Sequence, residues 1–103
     1  MTDQTEIIMT LEDLRSQRAA ILDIAKQYRA RKVSVFGSLV QGTATEDSDI
    51  DFLVEFEPDY KLRDVIRLVG AWQELLGRRV DVADADNLRD ELRPHILKTA
   101  EPL

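Results

Sequence analysis

Residues 49–57, Asp-Ile-Asp-Phe-Leu-Val-Glu-Phe-Glu, alternate without a break. Side chains along an extended strand point to opposite faces in turn, so Ile50, Phe52, Val54 and Phe56 share one face. Asp49, Asp51, Leu53, Glu55 and Glu57 share the other. The apolar side must be buried, and the acidic side must stay open. The segment therefore predicts a sheet covered on one face only, closed at this end by Pro58-Asp59.

The cover for that face is visible on either side of the strand. Leu14, Ile21, Leu22, Ala25 and Tyr28 recur at helical spacing, with Arg18 interrupting them, and predict a helix over 11–29. Thr10 followed by Asp13 is a weakened capping box at its start. A second amphipathic helix carries Leu62, Val65, Ile66, Val69, Trp72, Leu75 and Leu76, and Gly77 stands where a helix ends in the left-handed region. Lys32 to Phe36 is β-rich and stops abruptly at Gly37-Ser38, and residues 42–48 read as a polar loop. Arg79 to Ala83 is a third short strand with Val80 and Val82 on one side and Asp81 on the other. The remainder to Leu103 is expected to be helical, with Pro94 starting a last short helix or breaking a longer one. The predicted organisation is a loose leader over 1–10 and a single domain over 11–103. Its class is α+β, a layered α/β arrangement with helices over one face of a small mixed sheet.

Composition narrows the function. A chain of 103 residues suits one domain. With no cysteine, disulfides and thiolate metal sites are excluded. A net charge of −6 argues against direct nucleic-acid binding, which needs a basic face. No apolar run is long enough to cross a membrane, and the acidic start Met1-Thr2-Asp3-Gln4-Thr5-Glu6 is unlike a secretory signal. The expected location is the cytoplasm.

Asp49 and Asp51 lie two apart on one strand face, about 6.6–7 Å between Cα atoms. Asp81 has the same polarity on its own strand. If the strands are neighbours, three carboxylates meet on the open patch and repel each other unless a cation neutralises them. All-oxygen ligands suit Mg²⁺ or Mn²⁺, and Mg²⁺ pairs one or two carboxylates with substrate phosphates. Taken singly, Asp81 is more simply a solvated strand residue, and Ser38 an ordinary helix cap. The combination is more informative, because Gly37 lets the backbone approach a ligand and the N–H groups after it can cradle an anion. His95 and Trp72 receive no chemistry: the first reads as a surface or partly buried helix residue, the second as core.

The stretch Val33-Ser34-Val35-Phe36-Gly37-Ser38, ten intervening residues, then Asp49-Ile50-Asp51-Phe52 resembles the DNA polymerase β-type nucleotidyltransferase superfamily. Ser48 before the first aspartate and Asp81 in Arg79-Val80-Asp81-Val82 extend the likeness, and the short length resembles the minimal nucleotidyltransferases (the MNT group) that serve as antitoxins to HEPN-domain ribonuclease toxins. The resemblance implies a polymerase β-like fold with Asp49, Asp51 and Asp81 as metal-binding catalytic acids, and Gly37 and Ser38 as nucleotide-binding residues. It also implies two Mg²⁺ ions when nucleotide is bound (or Mn²⁺), ATP as donor, and a tyrosine of a HEPN toxin as acceptor. One departure is Gln41 before Gly42, where many members carry arginine; Lys61, Arg63 or Arg67 are candidates to supply the missing charge, although all three read first as a solvated helix face. Rival readings are an antitoxin acting by occlusion alone, a transferase for RNA or a small molecule, and a structural domain. A homo-oligomer is a further option, with the exposed parts of the first helix and the C-terminal tail as candidate surfaces.

Overall fold

The β2 strand, Ile50–Phe56, lies inside the sheet and organises everything else. In the computed structural model, which describes residues 8–103, it is flanked by β1 (Ala30–Phe36) and β3 (Val80–Asp84), while β4 (Glu101–Pro102) pairs with the far side of β1. Among the described residues the sheet order is β3-β2-β1-β4. β1 runs antiparallel to both β2 and β4, whereas β2 and β3 are parallel. Parallel neighbours need a crossover, and α4 (Leu62–Leu76) supplies it. The other helices are α1 (Leu11–Arg15), α2 (Arg18–Gln27), the short α3 (Ser38–Gln41) and α5 (Arg93–Thr99). The alternation read from the sequence holds: Ile50, Phe52, Val54 and Phe56 are all buried, and Asp51 and Glu55 are not.

Trp72 of α4 packs on Phe52 with ring centroids 4.2 Å apart, and its indole N–H donates to the Ile21 carbonyl of α2 at 3.1 Å. The largest core side chain is thus polar-satisfied, and it fastens both helices to the sheet. The capping box is real: Asp13 N–H donates to Thr10 Oγ1 at 3.0 Å, and Thr10 N–H to Asp13 Oδ2 at 3.1 Å.

Three expectations change. The predicted first helix is two, broken at Ser16-Gln17, where the Ser16 hydroxyl donates to the Asp13 carbonyl at 2.6 Å and competes with the helix ladder. It also ends before Arg29, whose φ of 65° turns the chain into β1. The C-terminal region is only partly helical: a 3₁₀ turn at Ala85–Asn87 precedes α5, and β4 follows it. Pro94 does open a helix, α5, in its first turn. β4 is two residues long and includes a proline, which leaves no periodicity to read. Of the expected leader, residues 1–7 lie outside the described residues, while Ile8 is buried in the core. No helix among the described residues is long and apolar enough to cross a membrane.

Candidate active site

The parallel register of β2 and β3 sets Asp51 directly beside Asp81. Partners in register project to the same face, at the strand spacing of about 4.8 Å. On the other side of Asp51 the partner is Phe36, the last residue of β1. Asp49 immediately precedes β2, two residues along the same strand direction from Asp51. The open face thus gathers the three aspartates that the sequence singles out around one end of the sheet. Burial, then the charge of Asp81, then that of Asp49, push the Asp51 carboxyl from 3.8 up to about 6.

Gly37 crosses directly over Asp51. Its φ is +80°, a region that side chains disfavour, and a Cβ placed there would lie 3.1 Å from Asp51 Cγ and closer still to Oδ2. The close approach that the sequence suggests for a ligand is therefore also made to a carboxylate. Gly37 itself, not Ser38, takes the position before α3, and its carbonyl accepts from Val40 N–H at 3.1 Å and Gln41 N–H at 3.0 Å. Ser38 is the first helical residue. Helix geometry leaves the N–H groups of Ser38 and Leu39 without an intrahelical acceptor.

Two arginines at the site carry no mark in the sequence pattern. Arg79 Nε lies 3.0 Å from Asp49 Oδ1 in an ion pair that is half exposed on the Asp49 side. The sequence offers Lys61, Arg63 and Arg67 for the missing positive charge. Those residues sit at or near the start of α4, by the Phe56 end of β2, whereas Asp49 precedes its Ile50 end. The signal that could have found Arg79 is register, because Ile50 N–H donates to the Arg79 carbonyl at 3.0 Å. Arg78 is the second. Its guanidinium donates to the carbonyls of Ile8, Thr45 (3.0 Å) and Ser48, and so pins the loop that delivers Asp49. Ser48 completes that loop, accepting from Thr45 N–H at 2.9 Å.

The donor set suits a hard divalent cation, since every candidate ligand is a carboxylate oxygen and Asp51 is half-buried beside two like charges. Among the described residues no three such side chains converge on one point. Asp49 is turned to Arg79. Further along the same open face a cavity of ≈240 Å³ is lined by Lys32, Ser34, Leu53, Glu55, Leu97 and Pro102, among others. Leu53, two residues beyond Asp51, is 7% exposed, which explains an apolar residue on the acidic side of the strand.

A family model described as polymerase beta nucleotidyltransferase matches residues 19–103. The chain belongs to this nucleotidyltransferase family. Protein adenylyltransferase MntA of Thermococcus cleftensis is 36% identical over 92 residues, spanning 88% of this chain and 93% of that one. The nucleotidyltransferase fold is equally plain in solved structures. A structure described as a minimal nucleotidyltransferase superposes with a TM-score of 0.81 at 45% identity, covering 92% of this chain and 97% of the other. A toxin–antitoxin crystal structure with AMP-PNP shares the fold, with a TM-score of 0.70 at 21% identity over 82% of this chain and 69% of that one.

Proposed function

We propose that this nucleotidyltransferase moves the adenylyl group of ATP onto a protein hydroxyl, a tyrosine of a HEPN-domain toxin, and so acts as that toxin's antitoxin. The observation that carries the reading is Asp51, in register with Asp81 and directly beneath Gly37. The relative named as a protein adenylyltransferase, aligned over most of both chains, supports the adenylyl group and the protein acceptor. The AMP-PNP-bound toxin–antitoxin neighbour is consistent with a nucleotide donor and a toxin partner.

In this reading Asp49, Asp51 and Asp81 hold Mg²⁺, one or two ions. When bound, Mg²⁺ supplies positive charge to the triphosphate oxygens and the developing pyrophosphate. Ser38 Oγ and the N–H groups following Gly37 take the β- and γ-phosphates, aligning the α-phosphorus with the acceptor. The hydroxyl oxygen attacks that phosphorus, the bond to the bridging oxygen breaks, and pyrophosphate leaves. Asp81, the more exposed of the paired acids, receives the hydroxyl proton. The cavity lined by Leu53 and Glu55, further along the same strand from Asp51, offers the acceptor segment room.

The test is incubation with the candidate toxin, ATP and Mg²⁺, followed by intact-mass analysis. An adenylyl increment on the toxin, lost with Asp51→Asn, is expected. Complex formation without an increment from any nucleoside triphosphate would overturn the reading. The Asp49–Arg79 ion pair favours one alternative, an antitoxin that acts by occlusion with its carboxylates disengaged. Full neutralisation of the toxin by the Asp49→Asn, Asp51→Asn double variant would select it.

A further inference from the structure

The outer face of α4 carries an apolar stripe that nothing within the described chain covers. Leu62 is 74% exposed and Ile66 62% exposed, both far above the other core-type residues of the helix. Gly70 follows at the same spacing, is itself exposed, and a Cβ added there would meet nothing within 4 Å. Residues four apart advance only about 40° around a helix, so the three form one ridge. Glycine in a helix interior costs roughly 0.5–1 kcal/mol relative to alanine. Nothing among the described residues requires that cost at position 70. A second surface approaching closely would.

The charges beside the ridge point to what that surface is. Arg63 and Arg67 flank its first half and Glu74 its end, all exposed, and none forms an ion pair with another described residue. The helix face therefore runs from basic to acidic. Laid antiparallel on a copy of itself, it matches opposite charges at both ends. We propose that this chain forms a homodimer through α4, with a two-fold axis midway between Ile66 and Gly70. That axis seats Ile66 over the partner's Gly70, with the reciprocal contact following by symmetry, and brings Arg63 near the partner's Glu74. The ridge from Leu62 to Glu74 is only about 18 Å long, well short of a standard interface, so association is weak and concentration-dependent. α4 lies on the sheet face opposite the aspartates, because its inward Trp72 packs on Phe52. Both open faces stay accessible in the dimer.

Sedimentation equilibrium across a wide protein range tests this without any substrate. The wild-type chain shows a monomer–dimer equilibrium. Ile66→Glu, at an exposed position, weakens it by more than about tenfold and leaves the circular-dichroism spectrum and melting curve unchanged. Arg63→Glu and Glu74→Arg each weaken it by about two- to fivefold, and the two together restore it. Gly70→Leu abolishes the dimer while raising the thermal stability of the monomer. The proposal is overturned if wild-type chain stays monomeric throughout, even if this face then captures a different protein. It is equally overturned if the dimer survives Ile66→Glu, or if the charge reversal fails to restore association.

Discussion

The two faces of the central sheet are made from the same strands, one residue out of phase, and they behave oppositely. Behind it, Ile50, Phe52 and Val54 are fully buried against α2 and α4, and the one polar atom of Trp72 has its partner. In front, three aspartates lie at one end, and burial, then the charges of Asp81 and Asp49, push the Asp51 carboxyl up to about 6. The back supplies the stability that the front spends. The comparison teaches that one strand can serve two opposite environments, because successive side chains are handed to opposite faces.

Breaking the back should have the largest effect. Trp72→Ala removes the ring from Phe52 and the tie to Ile21, and should cost about 3–5 kcal/mol in urea unfolding. Next comes the crossing over the front. Gly37→Ala must bear both a left-handed φ and a clash with Asp51, for about 1–3 kcal/mol, and should lose nucleotidyl transfer by displacing that carboxylate. The third variant separates the faces outright. The Asp51 carboxyl holds its proton more tightly in the folded chain, so stability falls as pH rises from about 4 to about 6 and stays at the lower value above that. Asp51→Asn should flatten this slope and raise the metal-free melting temperature at pH 7, while transfer falls to background. The smallest effect belongs to Arg79→Ala. An exposed pair is worth under about 1 kcal/mol, so the melting temperature should hardly change. The rise in melting temperature on adding Mg²⁺ should instead grow, because Asp49 is released. A smaller rise would show that Arg79 assists the site rather than competing for it.

The sequence made the back of the sheet readable because burial imposes a period, and Ile50, Phe52, Val54 and Phe56 obey it, with Leu53 the one residue of the other face that is also buried. It made Asp49 and Asp51 readable for the same reason, and Asp81 by the polarity of its own strand. The arginines were another matter. Arg79 and Arg78 act through cross-strand register and through backbone carbonyls far along the chain, neither of which leaves a pattern in sequence order. β4 is held by pairing with Ser34 and Val35, and by Arg15 donating to the Pro102 carbonyl at 2.7 Å. Contacts so distant in the chain are set by the tertiary fold alone. The break at Ser16 shows the reverse case, in which a local side-chain hydrogen bond overrides a good helical period.

Gly37 has one more consequence, for how sequences of this kind drift. The position is held twice over, by its own backbone angle and by the carboxylate beneath it. A descendant that had abandoned chemistry would still be unable to exchange that glycine without strain, so its presence says nothing of use. Asp49 has no such protection: its partner Arg79 is 76% exposed, and little stability would go with it. Between two chains that both keep the glycine, the first aspartate is free to change at little cost in folding, so under the roles proposed above its retention is the more informative of the two.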